Sequence, residues 1–196
     1  CIPTKALLKS AQVFEYLNHA EDYGLNADNI SHDFKKVIER SRNVASGMSK
    51  GVNFLMKKNK IDILKGFGKI KKNKVISVDG TDYSAKHIII ATGAKSRVLP
   101  SIPQDGKQVI GYREAMTLEK QPKSITIVGS GAIGIEFAYF YNSIGSDVTV
   151  IEYMPNIVPL EDVDVSKELE KSFKKKGIKI MTSSEVISVE KKKNKV

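Results

Sequence analysis

The chain has 196 residues, 41% apolar and 28% charged, with a net charge of +10. That length can bury a substantial core in one large domain or two small ones. No apolar run approaches the roughly 18 residues of a membrane span, and no charged-then-apolar leader marks secretion. A single cysteine, Cys1, excludes an internal disulfide framework and argues against a thiolate zinc site. Of the 32 basic residues, 28 are lysine and four are arginine (Arg40, Arg42, Arg97, Arg113). The lysines fall in short clusters at 57–58, 71–72, 174–176 and 191–193. With no tryptophan and no interleaved aromatics, this pattern reads as solvated lysine faces and not as a nucleic-acid surface.

In chain order, residues 3–23 predict a helix opened by Pro3, with Ala6, Leu7, Ala11, Phe14 and Leu17 as its apolar stripe and Gly24 at its end. Ser31 is the expected cap of a second helix carrying Phe34, Val37, Ile38, Val44, Met48, Val52 and Leu55. The period then shortens. "KIDILKG", "GKIKKN", "KVISVDG" and "TDYSAK" predict short strands separated by Gly, Asn and Asp turns. "HIIIATGA" is a continuous apolar run that predicts a strand buried on both faces. After a connector with Pro100 and Pro103, residues 124–154 read strand, glycine turn, helix, strand. A helix over 166–176 and strands "IKIM" and "EVISVE" follow. The start without methionine and the stop in "VEKKKNKV", as a hairpin begins, lead us to expect an internal piece of a longer protein.

Gly129-Ser130-Gly131-Ala132-Ile133-Gly134 matches G-x-G-x-x-G between an apolar strand and a helix, the context that gives this short pattern its meaning. Gly129 permits the tight turn, Gly131 lets the backbone approach a pyrophosphate, and Gly134 lets helix and strand pack closely. The diphosphate would meet unpaired N–H groups and the positive end of the helix dipole. Eighteen residues past Gly134, Glu152 ends the next strand, where a carboxylate accepts from both ribose hydroxyls and repels a 2′-phosphate. With no arginine in Tyr153-Met154-Pro155, the expected dinucleotide is NAD and not NADP.

Cys1 and Lys5 lie four apart, one above the other on a helix. A thiol at a helix N-terminus beside an ammonium is expected to have a lowered pKa. On these residues alone Cys1 can be a buried small hydrophobe, a metal ligand, an N-terminal nucleophile or half of a disulfide. An N-terminal-cysteine amidohydrolase, in which the α-amine activates the thiol, accounts for the missing methionine. It leaves the glycine motif and Glu152 unexplained. A non-catalytic NAD-binding module is a second alternative. His19, His32 and His87 suit no metal by spacing.

"CIPTKALL", then "IIIATGA", then "IVGSGAIGIEFA" and "VTVIE" together resemble the flavin-dependent pyridine nucleotide-disulfide oxidoreductases, over essentially the whole chain. Within them the chain looks most like the branch acting on dihydrolipoamide. The family motif is C-x-x-x-x-C-[IV]-P-[ST]-K, so the resemblance implies that Cys1 is the second, flavin-facing cysteine of a redox disulfide. Its partner would lie five residues upstream. It further implies that Lys5 lies near the flavin and pairs with Glu136, and that Thr92, Gly93 and Ala94 approach the flavin. Gly68 would meet the FAD adenine, and Val186 would lie beside the NAD adenine. Thr4 and Glu152 depart from the glutathione reductases, whereas the mercuric reductases share the cysteine motif.

The implied fold is α/β, with Rossmann-like FAD- and NAD-binding domains of three-layer ββα architecture. Both are incomplete here: about 1–112 for FAD and 113–196 for NAD. The implied partners are lipoyl domains of 2-oxoacid dehydrogenase complexes and a second copy in a homodimer, with neither nucleic acid nor membrane. The implied location is bacterial cytoplasm or an organelle matrix. Because the first cysteine, the FAD pyrophosphate loop and the family's His-Glu pair are missing, the 196-residue chain by itself is expected to be inactive.

Overall fold

The chain enters its first helix at once, because Pro3 supplies a fixed φ in a turn whose N–H groups have no helical partner anyway. In the computed structural model, which describes residues 1–191, this helix, α1, spans Ile2–Asn18, with Cys1 as its N-cap. A 3-10 turn, Ala20–Tyr23, continues the predicted segment and stops at Gly24, whose φ of 70° only glycine adopts freely. Lys192 and Lys193 of the last lysine cluster, and the rest of the expected hairpin, lie outside the described residues.

The chain divides into two units, residues 1–45 with 96–196, and residues 46–95. The first holds a parallel sheet in the order β4-β5-β6, from Ser124–Val128, Asp147–Ile151 and Lys179–Met181. Ser124 pairs with Asp147 and Val128 with Ile151, while Thr149 to Ile151 pair with Lys179 to Met181. A one-turn helix, α3 (Tyr112–Ala115), precedes the sheet, and the crossovers are α4, Ala132–Ser143, and α5, Val163–Lys175. The Asp162 carboxylate caps α5 by accepting from the Asp164 N–H at 2.8 Å. α1 packs on α4. The core gathers Leu7 and Ala11 of α1, Phe137, Ala138, Phe140 and Tyr141 of α4, and Val148 and Val150 of β5, with Phe173 and Ile178 below them. Tyr141 is fully buried and donates to the Ala115 carbonyl at 2.5 Å.

The second helix of the chain, α2, spans Phe34–Lys58. Its first turn is held by Asp33, which accepts from the Lys36 N–H, and not by the expected Ser31. Phe34 and Ile38 are buried as predicted, but Val44, Met48, Val52 and Leu55 of the same stripe are exposed.

In the unit of residues 46–95, β1 (Gly68–Lys71), β2 (Val75–Val78) and β3 (Thr81–Ser84) form an antiparallel meander. Its second turn is Asp79-Gly80, with φ of 47° and 87°, the pair of left-handed residues that a two-residue hairpin needs. Three expected strands are corrected. "KIDILKG" and "EVISVE" run outside any strand. So does "HIIIATGA", where Ile89 is 91% exposed. A doubly buried strand needs a parallel neighbour and an apolar layer on each face, and the described residues pair none with it.

Many lysines sit in one-turn ion pairs along the helices, such as Lys35–Glu39, Lys167–Asp164, Lys171–Glu168 and Lys174–Glu170. No helix among the described residues is long and apolar enough to cross a membrane.

Candidate dinucleotide and redox site

The glycine turn sits where β4 passes into α4. Gly129 has a φ of 99°, and its N–H donates to the Ile151 carbonyl at 2.8 Å, tying the turn to β5. Gly131 is the N-cap of α4 without a side-chain cap, so the first-turn N–H groups keep no helical acceptor. A Cβ at Gly129 or Gly131 would meet open space, whereas one at Gly134 would overlap the Gly129 carbonyl oxygen and lie 3.2 Å from Ile127 Cγ2. The three glycines thus differ as the expected roles would require: a left-handed turn, an open approach, and a close contact of helix on strand. Ala132 and Ile133 are exposed beside them.

Glu152 follows β5 and is 7% exposed; Ser130 is fully buried. One carboxylate oxygen of Glu152 accepts from the Ser130 N–H at 2.7 Å and from the Ser130 hydroxyl at 2.5 Å; the other accepts from the Met154 N–H at 2.8 Å. Burial pushes the Glu152 carboxyl up. The donors of Met154, Ser130 and Tyr153 outweigh it and hold the group below its ordinary range. The segment 152–158 closes back on the turn, since the Val158 N–H donates to the Ser130 carbonyl at 3.1 Å and to its hydroxyl at 3.2 Å. Ser183 and Ser184 donate to the Met154 and Glu152 carbonyls, so the strand after α5 runs past the same edge. Val186 lies half-buried just beyond.

The segment that begins at Cys1 is also tied to α4 by an ion pair, Lys5 Nζ to Glu136 Oε1. Lys5 stays largely exposed and Glu136 about half as much. Cys1 is exposed at the helix N-cap, a helical setting unlike the strand that an N-terminal nucleophile needs. Two partners escaped the sequence reading. The Thr4 hydroxyl lies 3.3 Å from the Met116 sulfur, which Arg42 also approaches at 3.9 Å. Arg40 donates to the Ala6 carbonyl at 2.8 Å and so braces α1. Neither contact has a spacing signal, because each joins residues more than thirty positions apart.

In the unit of residues 46–95, Gly68 opens β1 opposite Val78, and Thr92, Gly93 and Ala94 lie in an exposed segment where Gly93 has a φ of 79°. His19 bonds the Glu15 carbonyl and His32 the Gln121 amide. Among the described residues no group of His, Cys, Asp and Glu could hold a metal ion.

The sequence pattern of the pyridine nucleotide-disulphide oxidoreductases matches residues 1–196. The chain belongs to that family. Among its members it is 48% identical to a dihydrolipoyl dehydrogenase of Rhizobium etli, over 97% of this chain and 44% of the relative. It is 44% identical to one of Zymomonas mobilis, over 94% of this chain and 41% of the relative. Among solved structures it superimposes on LpdA from Mycobacterium tuberculosis with a TM-score of 0.84 at 25% identity, over 96% of this chain and 42% of that one. The chain therefore spans about two fifths of the length of these pyridine nucleotide-disulphide oxidoreductases. The mixed α/β fold, with its parallel βαβ unit, is the Rossmann-like fold of the family.

Proposed function

We infer that this chain is part of a dihydrolipoyl dehydrogenase, which oxidises the dithiol of dihydrolipoamide and reduces NAD by way of a redox disulfide and FAD. The observation that carries the reading is the Lys5–Glu136 pair, which brings the cysteine segment and the nucleotide-binding helix into one site. Open space at Gly131, tight packing at Gly134 and a carboxylate at the end of β5 fit an NAD pyrophosphate and adenosine ribose. When bound, FAD and NAD supply the electron and hydride transfer.

The chain's own residues supply placement and charge. Gly129, Gly131 and the α4 N–H groups hold the diphosphate, Glu152 reads the ribose, and Val186 flanks the adenine. Glu136 orients the Lys5 ammonium, which favours negative charge developing beside it, including that of the Cys1 thiolate. Residues 1–112 belong to the FAD domain, with Gly68, Thr92, Gly93 and Ala94 toward that cofactor, and residues 113–196 belong to the NAD domain. Cys1 pairs with a cysteine five residues upstream in the gene. The protein acts as a homodimer on lipoyl domains of 2-oxoacid dehydrogenase complexes, in a bacterial cytoplasm or an organelle matrix.

The test is to read the native transcript upstream of Cys1 and to assay the encoded protein. A cysteine five codons back, a flavin absorption spectrum and dihydrolipoamide-dependent NAD reduction that Cys1→Ser abolishes are expected. An initiator methionine directly before Cys1, or a protein without flavin or dithiol oxidation, overturns the reading. The 196-residue chain with added FAD and NAD is expected to show no turnover.

A further inference from the structure

Ser130, the residue between the first two glycines, is fully buried, and its hydroxyl lies 2.5 Å from Glu152 Oε2. That is the short range of a charge-assisted O–H···O bond. A carboxylate has about four lone-pair sites. Here Ser130 N–H, Ser130 O–H and Met154 N–H take three, and the Tyr153 N–H also approaches. The carboxylate is therefore already satisfied by the protein, while an adenosine ribose brings two further hydroxyl donors to it. One of the present donors has to yield. Three of them are backbone N–H groups fixed by the turn and strand. The fourth is a hydroxyl rotor, and its oxygen is anchored separately by the Val158 N–H at 3.2 Å. Val158 itself has a φ of 42°, an uncommon setting for a β-branched residue, held by its bonds to Ser130.

We propose that the Ser130 hydroxyl is a placeholder for a ribose hydroxyl: it satisfies the buried Glu152 carboxylate in the free protein and gives up that position when a dinucleotide binds. The proposal rests on the NAD reading above and goes further, assigning Ser130 a positioning role that opposes binding. Its proton turns away from Glu152 while the oxygen keeps its bond to Val158, so the loop over the turn stays in place.

The experiment compares wild type and Ser130→Ala in the intact protein, by calorimetric titration with NAD and with NAD carrying a 2′,3′-dideoxyadenosine. Ser130→Ala leaves the free carboxylate short of one donor, so the free protein should melt earlier and bind NAD about tenfold more tightly. The dideoxy ligand should bind both proteins alike, which a general loosening of the loop would not produce. Should Ser130→Ala fail to fold, Ser130→Cys, a weaker donor of similar size, should give a smaller gain of the same kind. An NAD affinity that is unchanged or weaker, or an equal change for both ligands, overturns the placeholder and leaves the NAD reading standing. Folded wild-type protein that binds neither ligand overturns both.

Discussion

In β5 the run Val148-Thr149-Val150-Ile151 is paired on both sides, with β4 and β6, and Val148 and Val150 are 2% and 0% exposed. In residues 88–91 the run Ile-Ile-Ile-Ala has three β-branched residues against four in β5, yet it forms no strand and Ile89 is 91% exposed. β-propensity measures how well a side chain fits a pleated, packed surface, not an intrinsic demand of the backbone. β5 receives that surface from two neighbours within sixty residues, each delivered by a short helical crossover. Residues 88–91 receive none from the described residues. An apolar run thus states a requirement, and the partner strands decide whether it is met.

The largest effect should come from the side of the comparison that is packed. Phe140→Ala removes a fully buried ring from α4 over β5 and should cost about 3–5 kcal/mol in urea unfolding. A loss under about 1 kcal/mol would show that α4 on the sheet does not anchor the fold. Gly134→Ala drives a methyl into the Gly129 carbonyl, a backbone atom that cannot rotate aside. A cost of about 2–3 kcal/mol and at least a roughly tenfold loss of NAD affinity are expected from unfolding and titration.

Tyr141→Phe should cost about 1 kcal/mol through the lost bond to Ala115. This site also predicts a pH response. Burial pushes the Tyr141 phenol well above its ordinary value, so the folded state keeps a proton that the unfolded state sheds above about pH 10. Stability contributed by the neutral phenol is full below that pH and falls as pH rises through it. Tyr141→Phe should flatten the alkaline limb of a melting-temperature profile; an unchanged limb would assign it to other groups. The smallest effect belongs to the unpacked run. Ile89→Ala should change the stability of the 196-residue chain by no more than about 0.5 kcal/mol. In a protein that flanks the run with parallel strands, the same substitution should cost about 2–5 kcal/mol, which makes Ile89 a direct probe of whether the run is paired.

Much of the βαβ unit was legible from residues alone, because its determinants are local. Gly129 needs its left-handed φ within one turn, Gly134 meets a carbonyl only five residues back, and β4, α4 and β5 follow one another within thirty residues. The turn at Asp79-Gly80 was legible for the same reason, whereas α1 stops at Asn18 and only the 3-10 turn after it reaches Gly24. The Ser31 cap was misplaced because Asp33, two residues on, offers the same chemistry nearer the helix. The exposed stripe of α2 and the unpaired run at 88–91 could not be read, since spacing shows which face is apolar but not what covers it.

The sequence by itself determined the glycine turn, the position of Glu152 at the strand end and the order of the helices and strands around them. Each follows from backbone sterics and periodicity over a few residues. Only the tertiary structure decided that Ser130 occupies the carboxylate of Glu152 and that Met116 stands beside Thr4. Those contacts depend on how α1 packs against α4 and how the segment after β5 folds back on the turn. Such packing is settled by the burial of Leu7, Ala11, Phe140 and Ile157 together, and no local rule encodes it.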